Sequence, residues 1–234
     1  MADGLYVGMA GAVARSRQLE AISDNLANVQ TPGFKAERPA FEAFLAAPGS
    51  DKVSPAAVQT SVDLRPGPTH TTGRPLDVLP SGNGFFAVEQ PSGTRAYTRD
   101  GRMQVDENGT LRIGPNAVLD NAGGSITIPP GSTPAVDGQG RVMVEGTAVA
   151  QLGVFELSGA VDRLGTSLVA PAPGGGAVPI AASVTTGSVE MGNAGGMEAA
   201  VALVSAQRHY ETSMQAIQTY RRLDEKAAEL GRVR

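Results

Sequence analysis

Ser23-Asp24-Asn25-Leu26-Ala27-Asn28-Val29-Gln30-Thr31-Pro32-Gly33-Phe34-Lys35 is the stretch on which the organisation of this chain turns. Its first half is spaced as the last turns of a helix. Its second half holds Pro32, which has no backbone N–H to donate, and Gly33, which takes positive φ freely. Thr31-Pro32-Gly33-Phe34 fits a type II turn, with Pro32 presetting φ at the second position and Gly33 supplying positive φ at the third. The helix therefore ends near Asn28 and the chain departs in a new direction. Asn25 and Asn28 are three apart and share a helix face. Two readings stay open for them. Either they face water or serve the helix end, with Asn28 near a C-cap, or they fix register between packed helices, as a single buried Asn does in a coiled coil.

Towards the N-terminus, Leu5, Met9, Ala12, Ser16, Leu19, Ser23 and Leu26 step alternately by four and three, and Val13, Ile22 and Val29 broaden the stripe. Gly4, Gly8 and Gly11 form a second stripe. An interior Gly costs a helix about 1 kcal/mol against Ala. Burying Leu5, Met9, Leu19, Ile22 and Leu26 contributes roughly 1.5–3 kcal/mol each, while ordering the backbone costs about 1–2 kcal/mol per residue. A solitary helix does not balance. The expectation is a terminal segment that orders on joining neighbours.

At the other end, Met197 to Leu230 contains neither Gly nor Pro, enough for a helix of about 50 Å at about 1.5 Å per residue. Its seam runs Leu203, Gln207, Tyr210, Met214 and Ile217, then drifts through Tyr220 and Leu223 to Ala227 and Leu230. A helix of this length suggests a coiled coil.

The middle reads as strand. Phe85-Phe86-Ala87-Val88, Arg95-Ala96-Tyr97-Thr98, Met103-Gln104-Val105, Thr110-Leu111-Arg112-Ile113, Ser125-Ile126-Thr127-Ile128, Arg141-Val142-Met143-Val144 and Gln151 to Leu157 are short β-type runs. Asp106-Glu107-Asn108-Gly109 and Asp137-Gly138-Gln139-Gly140 read as hairpin loops between them. The expected fold is α+β, with N- and C-terminal helices forming a coiled-coil-like pair around an inserted all-β central domain. The expected boundaries are an assembly helix and turn over 1–35, an extended connector over 36–73, the β domain over 74–170, a Gly/Pro-rich linker over 171–196 and a second assembly helix over 197–234.

Composition narrows the chemistry. Charged residues are 18% and the formal net charge is −4, so there is no basic footprint for nucleic acid. Cysteine is absent, which removes disulfides, thiolate metal sites and a cysteine nucleophile. Tryptophan is also absent and aromatic residues are 4%, against Gly 30 and Pro 16, which favours small turn-rich pieces over one dense core. No apolar run approaches the roughly 20 residues of a membrane span. Met1-Ala2-Asp3-Gly4 lacks the basic start of a secretory leader, so any export is expected without a cleaved signal. His70 and His209 have no second ligand at metal spacing. Ser81-Gly82-Asn83-Gly84 lacks the Lys-Ser/Thr of a phosphate loop and leads into Phe85-Phe86 as a turn into a strand. No catalytic, cofactor or metal residue is expected.

Asn25-Leu26-Ala27-Asn28-Val29 followed by Thr31-Pro32-Gly33-Phe34-Lys35 resembles the N-terminal signature of the bacterial flagellar basal-body rod and hook proteins. Gly73-Arg74-Pro75-Leu76-Asp77, Gly82-Asn83-Gly84-Phe85-Phe86-Ala87-Val88 and Ala96-Tyr97-Thr98-Arg99-Asp100-Gly101 resemble that family's β-domain motifs. Gln207-Arg208-His209-Tyr210-Glu211 resembles its C-terminal helix motif. Within the family the opening residues Leu5 to Ala12 look most like the proximal rod proteins, with the distal rod proteins the close alternative. One element departs from the family: where a Ser-Asn-Val element usually precedes the last helix, this chain reads Val189-Glu190-Met191-Gly192-Asn193-Ala194, keeping only the Asn.

The resemblance implies a structural subunit without catalysis, polymerising through its terminal helices into an axial drive shaft. Its implied partners are other copies of itself, neighbouring rod proteins and the flagellar type III export apparatus, with no nucleic acid and no membrane span. Its implied place is the basal body in the periplasmic space. The residues expected at the assembly interface are Leu5, Met9, Leu19, Ile22, Asn25, Leu26, Asn28, Leu203, Tyr210, Met214 and Ile217, with Pro32 and Gly33 at the turn. The competing readings are a hook-type paralogue, a cell-wall-acting enzyme, for which no acid–base pair can be placed, and a free-standing β-type binding module, which would not need apolar seams at both ends.

Overall fold

The computed structural model describes residues 2–42 and 57–232. Helix α1 (Ala2–Ala27) opens the chain and α2 (Gly196–Arg232) closes it. Between them come β1 (Glu37–Glu42), β2 (Ala57–Val62), β3 (Thr69–Thr71), β4 (Val78–Pro80), β5 (Gly84–Glu89), β6 (Arg95–Thr98), β7 (Gln104–Val105), β8 (Leu111–Ile113) and β9 (Asn116–Val118). The series continues with β10 (Pro134–Val136), β11 (Arg141–Val144), β12 (Thr147–Gln151), β13 (Val154–Ser158), β14 (Val161–Arg163), β15 (Leu168–Pro171), β16 (Gly176–Pro179), β17 (Val184–Thr186) and β18 (Ser188–Glu190). The chain divides into two compact units. One comprises Met1–Ala27, Glu37–Ser61 and Gly195–Arg234, the other Asn28–Ala36 and Val62–Ala194.

In the first unit α1 lies against α2 and against β1, and β1 pairs with β2. The packed stripes are made of small residues. Ala12, Ala14, Ala21 and Ile22 are buried on α1, and Ala206 and Ile217 on α2. Of the seam expected on α1, Ala12 and Ile22 are buried and Leu19 and Leu26 half-buried, while Met9 is 49% exposed. On α2, Leu203 and Tyr210 are half-buried and Ile217 is buried, but Gln207 and Met214 face out and Ala206 and Ser213 take the inward places. The side chains of Leu5, Ala227 and Leu230 lie outside the described residues.

The second unit is built on a sheet ordered β14-β15-β6-β5-β9-β8-β7, with β13 joining β5 to β16. The pairings are antiparallel. Smaller sheets pair β10-β11-β12, β17-β4 and β18-β3. Strand β5 explains its own sequence. Phe86 and Val88 enter a core with Leu111, Val118 and Val142, while Phe85 and Ala87 enter another with Tyr97, Phe155 and Val169. A strand covered on both faces reads as a continuous apolar run rather than an alternating one.

The hairpin loops expected at Asp106 and Asp137 share one device with a third at Asp120. In each, the Asp side chain accepts the N–H groups two and four residues on: Asn108 and Thr110, Ala122 and Gly124, Gln139 and Arg141. The carboxylate replaces a missing turn of ladder hydrogen bonds. Asp106 is held below the usual carboxylate range chiefly by its Arg112 hydrogen bond, and Asp137 chiefly by the Arg141 N–H.

Residues 171–196, expected as a loose linker, carry β16, β17 and β18. These strands pair with β13, β4 and β3, the last two being far earlier in the chain. Pro173, Gly174 and Gly187 sit at turns between very short strands, and Pro171, Gly176 and Pro179 at strand ends, so composition alone does not separate the stretch from a linker. Likewise the stretch 36–73, expected as an extended connector, contributes β1, β2 and β3, with residues 43–56 outside the described set.

Candidate functional site

The segment after α1 enters the second unit as a buried strip. Thr31 N–H donates to the Asn28 carbonyl at 3.0 Å, and Thr31 Oγ1 donates to Asn28 Oδ1 at 3.1 Å. Phe34 N–H donates to the Thr31 carbonyl at 3.2 Å, and Gly33 has φ of 71°. The Pro32-Gly33 pair thus sits in a turn that needs positive φ at its third position. Gly33 has a second reason to lack a side chain. A Cβ there would lie 2.1 Å from Asp100 N and 2.6 Å from Asp100 Cα. The Thr31-Pro32-Gly33-Phe34 and Arg99-Asp100-Gly101 motifs therefore touch backbone to backbone.

Beyond the turn lies a group of buried charges. Lys35 Nζ donates to Glu190 Oε1 and to the Arg65 carbonyl, both at 2.7 Å. Arg99 Nε donates to the other oxygen, Glu190 Oε2, at 2.6 Å. Arg99 Nη1 serves the Gly82 and Gly84 carbonyls at 2.8 Å, and Nη2 the Pro80 carbonyl at 3.1 Å. The Phe85 ring centroid is 5.9 Å from Lys35 Nζ and 5.5 Å from Arg99 Cζ, so two cations lie near one ring and share one carboxylate. The Lys35, Arg99 and Glu190 side chains are 2%, 2% and 1% exposed. Burial pushes the Lys35 ammonium below the ordinary lysine value, opposed by Glu190.

The backbone of residues 33–36 is held like a bound peptide. Gly33 N–H donates to the Glu190 carbonyl at 2.8 Å and Ala36 N–H to Asn193 Oδ1 at 2.7 Å. The Ala36 carbonyl accepts Asp63 N–H at 2.8 Å. Arg163 donates to the Lys35 carbonyl and lies 4.7 Å above the Phe34 ring, whose residue is fully buried. Asn193 also spans the neighbouring strip, donating Nδ2 to the Asp63 and Arg65 carbonyls at 2.7 and 2.9 Å. The one residue kept in the divergent 189–194 element is therefore the residue that ties three passages of chain together. Gly192 beside it leaves room for the chain at the turn, since a Cβ there would lie 2.5 Å from the Asn28 carbonyl oxygen.

Asn25 belongs to the first unit and uses both ends of its amide on one residue. Its Nδ2 donates to the Glu37 carbonyl at 2.7 Å, and its Oδ1 accepts Glu37 N–H at 2.8 Å. It copies a ladder pairing with the first residue of β1. Asn28 lies at the turn, Pro32 is half-buried and Gly33 buried. Ile22 and Ile217 are buried, Leu19, Leu26, Leu203 and Tyr210 half-buried, and Met9 and Met214 exposed. His70 and His209 are exposed. Among the described residues no group of three His, Cys, Asp or Glu is placed to hold a metal ion, and no helix is long and apolar enough to cross a membrane.

Reading the sequence assigned no task to Lys35, Arg99, Glu190 or Asn193. One signal for them was present: Lys35 follows Phe34, and Arg99 follows Ala96-Tyr97-Thr98, so each is a charge on an apolar strip. A charge in such company needs a buried partner. The partner's identity was not legible, because it stands in a remote segment.

Three family models match along the chain. The flagella basal body rod protein model covers residues 5–35, the flagellar hook protein FlgE/F/G D1 domain model 81–144, and the flagellar basal body rod FlgEFG protein C-terminal model 185–230. The chain is 34% identical to the flagellar basal-body rod protein FlgF of Mesorhizobium japonicum, over 74% of this chain and 73% of that protein. It is 31% identical to FlgF of Caulobacter vibrioides over 100% of both chains. It is 32% identical to the flagellar basal-body rod protein FlgG of Buchnera aphidicola, over 98% of this chain and 100% of that one. The first helix with the turn after it, the middle of the β unit, and the last strand with the closing helix fall on these three models in order, and the chain belongs to the flagellar basal-body rod protein family.

Proposed function

We propose that this structural rod subunit polymerises through its terminal helices, which pair as a coiled coil in the assembled axial shaft. Its partners are further copies and neighbouring rod proteins, in the periplasmic stretch of the basal body, reached through the flagellar export apparatus. The observation that carries this reading is the apolar surface left uncovered on the helix pair. Met9 and Val13 on α1 are 49% and 55% exposed, and Met197, Val201 and Val204 on α2 are 82%, 63% and 53% exposed. Large apolar residues grouped on a helix surface mark a contact with another chain. A subunit that repeats along a shaft makes heterologous contacts, which leave open ends for growth.

The test is Val201→Glu with Val204→Glu. Both positions are exposed, so unfolding free energy should stay within about 0.5 kcal/mol of the parent. Sedimentable polymer and swimming should be lost. Normal rods and normal swimming in that variant would overturn the reading.

A further inference from the structure

The second unit draws its closing contacts from segments that are remote in sequence. Lys35 and Glu190 are 155 residues apart, Ala36 and Asn193 are 157 apart, and Arg99 and Glu190 are 91 apart. The last strands behave alike: β17 closes on β4 at Val184↔Pro80, and β18 on β3 at Ser188↔Thr71. Contacts of this separation cost loop-closure entropy before they return anything.

The charges make partial closure worse than none. With Lys35 and Arg99 in place but Glu190 absent, two buried cations beside the Phe85 ring would lose the carboxylate that both bond. An uncompensated buried charge costs several kcal/mol. With Glu190 in place but residues 33–36 absent, the Asn193 amide oxygen loses the Ala36 N–H, the Glu190 carbonyl loses the Gly33 N–H and Phe34 leaves a hole in the unit. Both half-formed arrangements therefore strand a polar or charged group, and the complete one satisfies all of them.

We propose that residues 33–36, Arg99 and the Glu190–Asn193 segment form a closing latch, so that the second unit folds only when residues from both ends of its sequence are present together. A chain delivered from one end stays unfolded until Glu190 and Asn193 arrive. This suits a subunit that travels as an unfolded chain, a use that rests on the proposed export route. The latch itself is tested on the purified chain, so its failure would leave that route standing.

The experiment is pulse-labelled hydrogen exchange during refolding of the full chain. Latch amides are Gly33 and Ala36, which donate to Glu190 O and Asn193 Oδ1. Core amides are Ala87, Leu111 and Leu119, which donate to Gly153, Ile126 and Ala87 carbonyls. Both sets should gain protection in one phase. Core amides protected in an earlier phase than Gly33 and Ala36 would overturn the proposal. At equilibrium, Lys35→Met keeps the Arg99–Glu190 pair and so leaves the chain folded. It should lower the protection of latch and core amides by a common factor of about ten, as global opening requires. A loss confined to residues 31–36 would mark a local flap and overturn it equally.

Discussion

Lys35 and Glu190 stand 155 residues apart in sequence and 2.7 Å apart in the fold, with Arg99 on the second oxygen of the same carboxylate at 2.6 Å. The arrangement is unequal: two cations depend on one anion. Removing the anion strands both, whereas removing Lys35 leaves a matched pair. Glu190→Gln should therefore cost about 3–5 kcal/mol, and Lys35→Met clearly less. Urea unfolding of the two variants gives the order. If Lys35→Met proved the more damaging, Glu190 would not be the shared anion.

The same group sets a pH dependence. In the unfolded chain Lys35 keeps its proton up to about 10.5, and in the fold burial lowers that value. Between the two values the unfolded state binds more protons, so stability on this account rises with pH. Wild-type stability minus that of Lys35→Met should move in favour of the wild type as pH climbs towards 10.5. A flat difference would mean that Lys35 titrates alike in both states. Asp106 and Asp137 act at the other end. Their lowered values contribute stability that is present above the ordinary carboxylate value of 3.8 and lost as pH falls through the lowered ones.

Gly33 and Gly114 separate backbone strain from packing. Both have positive φ, 71° and 56°, but a Cβ on Gly114 meets nothing within 4 Å, whereas one on Gly33 meets Asp100 N at 2.1 Å. Gly114→Ala should cost about 1–2 kcal/mol, the left-handed penalty alone. Gly33→Ala should cost more, since backbone must move against backbone. Thermal unfolding of both variants checks this, and equal losses would remove the close-contact argument.

Asn25 changes meaning once Glu37 is seen beside it. From spacing alone, Asn25→Leu should hold or raise helix stability while impairing assembly. In the fold that change removes two hydrogen bonds, those of the Asn25 amide with the Glu37 N–H and carbonyl. A loss of about 1–3 kcal/mol is expected, two hydrogen bonds at about 0.5–1.5 kcal/mol each. Amide exchange at Glu37 should rise with it. An unchanged Glu37 amide would show that Asn25 does not hold β1 to the helix.

Much of the architecture is legible without coordinates because it is local. The 3.5-residue spacing of both ends, the Pro32-Gly33 stop and the Asp-led hairpins at 106 and 137 each depend on residues within a few positions of one another. The choice of seam was less legible. Spacing names a stripe of large apolar residues, whereas the buried positions include the small Ala14, Ala21 and Ala206.

The stretch 171–196 was not legible as strand. Three or four residues carry no period, and the partners β13, β4 and β3 lie too far away to leave a trace in composition. By itself, then, the sequence determined a helix at each end, a turn-rich β region between them, the place where the first helix stops and the family to which the motifs belong. Only the tertiary structure decided where the chain goes after that stop. It seats Lys35 on Glu190 and lets Asn193 tie three passages together, because a buried charge can be satisfied by any residue the fold brings within about 3 Å, however distant in the chain.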